Sequence, residues 1–171
     1  MKVKDVMTAD ALKHCTLETK LHNVAKTMKE TNRGALPILD KEDKVVGIIT
    51  DRDIAIALAT KKERQVSELT VKDVIPSTMV HTVKADDPVD KALQEMRKNK
   101  VGRLPVTDQQ GKLKGMISIN NLLSHSLAKK ENLGEVTASE ENLAKTIKSL
   151  FDRNNSKQAM KNYEKLEPHT F

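Results

Sequence analysis

The chain has 171 residues, of which 37% are hydrophobic and 32% charged, and its formal net charge is +6 at pH 7. This length and balance suit one or two small folded domains and exclude a chain that is disordered throughout. No stretch approaches the roughly 20 apolar residues that a membrane span needs, and the start, Met1–Val6, lacks the apolar segment of a secretory signal.

Two scarce residue types narrow the function further. The single cysteine, Cys15, excludes an internal disulfide and predicts a reducing, cytoplasmic environment. Aromatic residues make up only 2% of the chain, so the stacking platforms typical of proteins that bind single-stranded nucleic acid are missing. The positive charge, locally concentrated at Arg97–Arg103, therefore favours a solvated helix end or a phosphorylated small-molecule ligand over nucleic acid.

The segment from Met1 to Thr60 predicts short elements in the order strand, helix, two strands, helix, preceded by a helical turn. These elements are a turn at Val3–Thr8, a strand-like run at Leu12–Leu17, a helix at Lys20–Thr31, strands at Ala35–Leu39 and Val45–Ile49, and a helix at Asp51–Thr60. The two apolar strands form a hairpin around a charged turn. The set predicts a mixed α/β (α+β) fold.

The polar stretch Lys61–Thr70 links these elements to a second copy of the same element order, which begins at Val71. When Val3 is placed on Val71, the chain aligns with itself without a gap, and the match extends to Ser126. The second copy predicts a turn at Val71–Ser77, a strand-like run at Val80–Val83, a helix at Pro88–Lys98, strands at Leu104–Thr107 and Leu113–Ile117, and a helix at Ile119–Lys129. A repeat of this length is a whole folded unit, so we expect two similar halves with a pseudo-twofold cleft and paired pockets between them.

The first helix of each copy has a predicted buried stripe and a predicted start. The stripe has the i, i+3, i+4, i+7 spacing of one helical face, and its members are Leu21, Val24, Ala25 and Met28 in the first copy and Val89, Ala92, Leu93 and Met96 in the second. In the second copy Asp87 is the predicted N-cap, with Pro88 at the first helical position. Thr19 occupies the place of Asp87 in the first copy.

The repeat ends after Ser126. A loop is predicted at Gly134–Thr137 and a helix from Ser139, whose apolar residues between Leu143 and Phe151 need a partner, either the repeats or a second chain. The polar stretch Asn154–Phe171 is predicted to fray. The predicted division is a first repeat at 1–60, a linker at 61–70, a second repeat at 71–129, and a C-terminal helix and tail at 130–171.

The segment Gly47–Asp53 carries the most chemistry. It joins the last strand of the first hairpin to the second helix, where free backbone N–H groups and the helix dipole attract an anion. Gly47 lets a ligand or a neighbouring backbone come close, and Asp53 presents two acceptor oxygens that suit the vicinal hydroxyls of a ribose. The join recurs at the equivalent place in the second copy as Gly115–Asn121.

Helix capping is the alternative for the same residues. A threonine at the N-cap and an acid three residues later form a capping box, which stabilises a helix by about 1 kcal/mol without any ligand. The pattern of Thr50 and Asp53 thus leaves capping and binding open, and its recurrence favours binding. The five histidines lack the spacing and the cysteine companions of a metal site, and no nucleophile has an evident base, so neither a metal nor a catalytic residue is predicted.

Two copies of this element order, each with Val-Lys-Asp-Val, a Leu-Pro strand and the Gly-x-x-Thr/Ser join, resemble a tandem pair of CBS domains, a Bateman module, over about residues 1–127. The resemblance implies a regulatory module rather than an enzyme. It implies that an adenosine-containing ligand (AMP, ADP, ATP, S-adenosylmethionine or NAD) binds in the cleft between the copies. It also implies a homodimer formed through the helices, and regulation of an effector protein that the sequence does not identify.

The resemblance also implies roles for individual residues. Asp53 holds the ribose hydroxyls, Thr50 helps to bind ribose or phosphate, and Asn121 replaces the acid in the second copy beside Ser118. Arg103 precedes the second Leu-Pro strand, where basic residues contact phosphate in some family members. The first pocket thus has the better ribose anchor and the second the better phosphate anchor, so one ligand per chain is expected. The implied lining of the first pocket is Ile49, Ala35, Asp87, Leu93 and Val101, and that of the second is Arg103, Thr19 and Ala25.

Two other functions remain open from the sequence. The module could be a ligand-free structural or dimerisation unit in which Thr50 and Asp53 only cap a helix. It could also bind nucleic acid through its excess of basic residues, in which case binding would fall steeply with salt.

Overall fold

The protein combines helices with short strands throughout. The computed structural model describes residues 1–61, 65, 67–75, 80–130 and 138–151, and only the backbone of residues 127–130, 138–140 and 151. Its elements are α1 (Leu21–Thr31), β1 (Ala35–Leu39), β2 (Val45–Thr50), α2 (Asp51–Thr60), β3 (Val83–Lys84), α3 (Val89–Asn99), β4 (Arg103–Thr107), β5 (Leu113–Ser118), α4 (Ile119–Lys130) and α5 (Ala138–Phe151), with 3-10 turns at Val3–Asp5 and Val71–Asp73. The predicted mixed α+β class is confirmed.

The chain packs as two compact units whose limits differ from those of the repeats. The α1–α2 unit contains the described residues of Ala9–Thr82 together with Thr107–Gly115. The α3–α5 unit contains Met1–Thr8, Val83–Val106 and the described residues from Met116 onward. Each unit therefore takes the 3-10 turn that precedes the opposite repeat in the sequence.

The same pair of backbone hydrogen bonds fixes the 3-10 turn in each unit. In the α3–α5 unit, the N–H groups of Val3 and Lys4 donate to the carbonyl oxygens of Asp87 and Ala85, both at 2.9 Å. In the α1–α2 unit, Val71 and Lys72 donate to Thr19 and Leu17, again at 2.9 Å. Val3 and Val71 are fully buried, each in the core of its own unit.

Apolar side chains at helical and strand spacing form a core in each unit. The α3–α5 core contains Val3, Val83, Val89, Ala92, Leu93, Met96, Leu104, Val106, Ile117, Leu122 and Leu143. The α1–α2 core contains Cys15, Leu21, Val24, Met28, Leu36, Ile38, Ile49, Ile54, Ala57, Leu69 and Val71. Burial of such apolar side chains is the main favourable contribution to folding.

The first hairpin is an antiparallel pair with a defined register. Ala35 faces Thr50 and Ile38 faces Gly47, with a bulge between Ile38 and Leu39. A Cβ atom at Gly47 would lie 2.9 Å from Cδ1 of Ile38, so glycine is required for this packing. The atoms that come close to Gly47 thus belong to a side chain of the same hairpin, whereas the prediction was a ligand or a backbone. In the second repeat, β4 lies between β3 and β5.

The predicted leading strands are shorter than expected. Leu12–Leu17 forms no strand, and its sheet-like contact is a single parallel bridge from Cys15 to Ile38. The strand predicted at Val80–Val83 is found at Val83–Lys84. Both segments turn sharply toward the helix that follows, which leaves few residues extended.

The predicted helix starts are wrong by one residue. Pro88, with φ −65° and ψ 146°, occupies the N-cap position of α3 instead of the first helical position, and Lys20 occupies that of α1. The carboxylate of Asp87 instead accepts the backbone N–H of Lys84 at 2.8 Å. Thr19 likewise accepts the N–H of Thr16 at 2.9 Å. These residues close the turn before the helix rather than cap the helix itself.

The first helices of the two repeats differ at one position of the predicted stripe. Ala25 is exposed, which corrects its prediction as buried, whereas its counterpart Leu93 is 1% exposed. The reason is α5, which packs on α3: the Thr146 hydroxyl lies 3.5 Å from the Leu93 carbonyl oxygen, and Leu143 is 5% exposed in the core. The apolar face of the C-terminal helix therefore packs against its own unit.

Some predictions concern residues outside the described part of the chain. The loop at Gly134–Thr137 and the polar tail at Asn154–Phe171 lie wholly outside it, and the linker Lys61–Thr70 and the turn Val71–Ser77 lie partly outside it.

Candidate functional site

The junction of β2 and α2 holds the two residues predicted to bind a ligand. Thr50 ends the strand in an extended conformation, with φ −117° and ψ 163°, and is the N-cap of α2. The backbone N–H of Asp51 donates to the carbonyl oxygen of Gly34 at 3.2 Å, which fixes the helix start beside the beginning of β1. The first turn of a ten-residue helix is therefore presented at the end of a partly buried strand.

Thr50 and Asp53 bind each other through a reciprocal capping box. One carboxylate oxygen of Asp53, Oδ2, accepts the backbone N–H of Thr50 at 2.8 Å and its hydroxyl at 2.6 Å. The N–H of Asp53 donates back to the Thr50 hydroxyl oxygen at 3.3 Å. The capping role considered from the sequence is therefore present in the structure.

This box engages only half of the Asp53 carboxylate. Within the described residues Oδ1 has no hydrogen-bond partner, and the side chain is half-buried. A carboxylate oxygen can accept two hydrogen bonds, so Oδ1 can receive the two hydroxyls of a diol. The positive end of the α2 dipole lies at the same place, which favours an anionic group nearby.

The junction of β5 and α4 repeats this geometry with an amide. Oδ1 of Asn121 accepts the N–H of Ser118 at 2.9 Å and its hydroxyl at 2.6 Å. The N–H of Asn121 donates to the Ser118 hydroxyl oxygen at 3.3 Å. The difference lies in the second side-chain atom: Nδ2 of Asn121 donates to the hydroxyl oxygen of Thr8 at 3.1 Å.

A third capping box has no predicted ligand. Oδ2 of Asp73 accepts the N–H of Thr70 at 2.8 Å and its hydroxyl at 2.7 Å, at the start of the 3-10 turn Val71–Asp73. Because this turn is only three residues long, it lacks the aligned dipole of α2. The Thr-x-x-Asp capping box therefore also forms at a turn for which no ligand is predicted, so this geometry alone does not identify a binding site.

The remaining predicted site residues are distributed over both units. Arg103 is exposed at the start of β4, Val101 is partly buried, and Leu93 contributes almost no accessible surface. Hydrogen bonds from Lys84 and Lys91 occupy Asp87. The α1–α2 unit contains Thr19, Ala25, Ala35, Ile49, Thr50 and Asp53, and the α3–α5 unit contains Asp87, Leu93, Val101, Arg103, Ser118 and Asn121.

The sequence prediction missed the contribution of Thr8. The internal repeat gave no signal for it, because Thr8 aligns with Pro76 of the second copy, which has no hydroxyl group. Pro76 lies outside the described residues. Only the packing of Met1–Thr8 in the α3–α5 unit brings Thr8 next to Asn121.

Both repeats match the same protein-family model. The model of the CBS domain matches residues 3–60 and residues 71–128, so each repeat with its strand–helix junction is covered. The chain belongs to the CBS-domain family. The resemblance predicted from the repeated motifs is thereby confirmed, and the two matches are the tandem CBS pair.

Relatives of the CBS pair have different overall lengths. The chain is 36% identical over 123 residues to the uncharacterized protein YlbB of Bacillus subtilis, covering 71% of this chain and 79% of that protein. It is 35% identical over 122 residues to inosine-5′-monophosphate dehydrogenase of Methanocaldococcus jannaschii, covering 71% of this chain but only 22% of the enzyme. The similarity to the dehydrogenase thus extends over a small part of that enzyme.

A solved CBS pair has the same fold. The CBS domain pair of protein MJ0100, determined in complex with 5′-methylthioadenosine and S-adenosyl-L-methionine, is 29% identical, with a TM-score of 0.63. The match covers 75% of this chain and 98% of that one.

The described part of the chain contains neither a cluster of metal ligands nor a helix that could span a membrane. Among residues 1–61, 65, 67–75, 80–130 and 138–151, no three His, Cys, Asp or Glu side chains are grouped as metal ligands. No described helix has the length and apolar character needed to cross a membrane.

Proposed function

We propose that this chain is a regulatory module that binds an adenosine-containing ligand through Asp53 at the β2–α2 junction. The ligand class comprises AMP, ADP, ATP, NAD and S-adenosylmethionine. The observation that carries the proposal is Oδ1 of Asp53, beside the N-terminus of α2. It belongs to a half-buried side chain and has no hydrogen-bond partner among the described residues. A ribose presents two adjacent hydroxyl donors that match it.

At this junction the Asp53 carboxylate and the N-terminus of α2 bind different parts of the ligand. The Asp53 carboxylate accepts hydrogen bonds from ribose, and each bond to a charged group contributes about 1.5–3 kcal/mol. The positive end of the α2 dipole attracts a phosphate or a carboxylate of the ligand. Family membership and the adenosine ligands of the related MJ0100 pair support this assignment.

A regulatory role follows from differential binding. A ligand that binds one conformation or assembly of the chain more tightly shifts the population toward it, and a partner protein or a second copy can respond to that shift. No step of chemistry on the ligand is required, so we propose a sensor rather than an enzyme.

Ligand-dependent thermal unfolding tests the proposal. Each of AMP, ADP, ATP, NAD and S-adenosylmethionine is added at millimolar concentration, and the melting temperature is compared with that of the free protein. A ligand present at about 100 times its Kd adds about 2.7 kcal/mol of stability. We expect a shift with at least one of them, and we expect Asp53→Ala to abolish that shift.

The matched control is Asp73→Ala, which removes the same capping box at the turn Val71–Asp73. Both variants lose a cap, so both lower the melting temperature of the free protein, but only Asp53→Ala should lose the response to ligand. A shift that survives in Asp53→Ala contradicts the assignment of Asp53. No shift with any ligand makes Thr50 and Asp53 a helix cap only and leaves a dimerisation module as the function.

A further inference from the structure

The side chain of Asn121 is hydrogen-bonded at both its oxygen and its nitrogen by residues of its own unit. Its Oδ1 accepts two hydrogen bonds from Ser118, at 2.9 Å and 2.6 Å, and its Nδ2 donates to the Thr8 hydroxyl oxygen at 3.1 Å. The equivalent Asp53 makes the first two bonds but not the third, since Oδ1 has no partner within the described residues. The two junctions thus differ in the second side-chain atom, which is the acceptor Oδ1 in Asp53 and the donor Nδ2 in Asn121.

The exchange of acid for amide explains why that atom needs a partner. Oδ1 of a carboxylate is an acceptor and stays solvated until a diol approaches, whereas Nδ2 of an asparagine is a donor. An amide donor that is buried without an acceptor costs about 1–3 kcal/mol, and the half-buried Asn121 avoids its share of that cost by donating to Thr8. The hydroxyl oxygen of Thr8 supplies such an acceptor from within the chain, whereas Oδ1 of Asp53 has no partner among the described residues.

Thr8 is held firmly in this position. Its N–H and its carbonyl oxygen both pair with the backbone of Met116, each at 2.9 Å, two residues before Ser118. The segment that carries it is anchored upstream by the fully buried Val3 and its 2.9 Å hydrogen bond to the Asp87 carbonyl oxygen. A residue fixed by backbone pairing on both sides loses little further entropy in making the side-chain bond.

We propose that Thr8 and Asn121 together close the second junction, with the Thr8 hydroxyl in the place that a ribose hydroxyl takes at Asp53. This inference rests on the proposed function of Asp53 and makes it specific: one adenosine-type ligand binds per chain, and the two residues set that number. A ribose would have to displace Thr8 and would find a neutral amide in place of a carboxylate.

Titration calorimetry with AMP and with S-adenosylmethionine tests the closure through stoichiometry. The wild type should bind one ligand per chain, and Asp53→Ala should bind none. The double variant Thr8→Ala with Asn121→Asp removes the internal hydroxyl and restores the acid, so it should bind two. The same double variant in an Asp53→Ala background should bind one, at the second junction.

The matched control is Asn120→Asp, which adds the same charge to an exposed neighbour on α4 and should leave one ligand per chain. Thermal unfolding of each variant without ligand establishes that it is folded. Two ligands bound by the wild type, or a folded double variant that still binds one, overturns the closure.

Failure of the proposed function gives a different pattern. If the wild type binds neither ligand, the assignment of Asp53 fails. Closure of the second junction is then tested by comparing the double variant with the wild type. A gain of one ligand in the double variant then supports closure by Thr8, and no gain overturns it.

Discussion

The backbone N–H of Val3 donates to the carbonyl oxygen of Asp87 at 2.9 Å, although the two residues belong to different repeats. This bond belongs to a reciprocal arrangement, because Val71 of the second repeat makes the equivalent bond to Thr19 of the first. The start of the chain is thus part of the unit built mainly from the second repeat. Its removal should destabilise α3 and α4 rather than α1 and α2.

Truncation of Val3 tests this arrangement. The side chain is fully buried in the α3–α5 core, so Val3→Ala should lower the free energy of unfolding by about 2 kcal/mol, through lost burial and the cavity left behind. Urea unfolding followed by circular dichroism measures the change. Met1→Ala, at a side chain that is 48% exposed, is the control, and equal midpoints for the two variants would contradict the prediction.

Leu143 should be the main anchor of α5 on α3. It is 5% exposed in the core with Leu93 and Met96, and Leu143→Ala should cost about 2–4 kcal/mol of unfolding free energy. Lys148→Ala, an exposed position further along the same helix, should change stability by less than about 0.5 kcal/mol. Similar urea midpoints for both variants would mean that α5 does not contribute to the stability of its unit.

Much of the fold could be predicted because local pattern determines it. The strand Ala35–Leu39 and the helix Asp51–Thr60 were predicted with the bounds that the structure has. Asp87 shows where local pattern failed: an aspartate before Pro88 fits an N-cap, but it also fits a turn closed onto Lys84, and the turn is what forms. Sequence preferences of a single residue cannot decide between two local hydrogen bonds.

In the candidate site, too, the contact between residues close in sequence was predicted and the contact between distant residues was not. The capping box of Thr50 and Asp53 involves residues three apart, so the sequence predicted both the contact and its ambiguity. The bond between Asn121 and Thr8 joins residues 113 apart. It depends on Met1–Thr8 packing in the unit of the second repeat, which no periodicity in the chain indicates.

Asp87 should make the stability of its unit depend on acid pH. Desolvation of the carboxylate raises its pKa, but the hydrogen bonds from the Lys84 N–H and the Lys91 ammonium outweigh this, so the pKa of Asp87 lies below its usual value. A carboxylate whose folded-state pKa is lowered contributes stability above its unfolded pKa of about 3.9 and loses it as pH falls through the folded value. Wild-type protein should therefore lose more stability than Asp87→Asn as the pH falls below about 4.

The control for this pH dependence is Asp90→Asn, at an exposed position on the same helix. Chemical denaturation at a series of pH values gives the unfolding free energy of each protein. Parallel acid profiles for wild type and Asp87→Asn would show that the two hydrogen bonds do not favour the charged form.

Cys15 should be unreactive in the folded protein. Burial raises the pKa of its thiol to about 12, so at pH 8 only roughly one molecule in ten thousand carries the reactive thiolate. The side chain is also 5% exposed, and its sulfur lies 3.8 Å from the Pro37 carbonyl oxygen, within the core of the α1–α2 unit. A disulfide reagent such as dithiobisnitrobenzoate should therefore modify native protein only as fast as this unit opens. The same protein in concentrated guanidinium should react at the rate of a free thiol, and an equal rate in native buffer would place Cys15 outside the core.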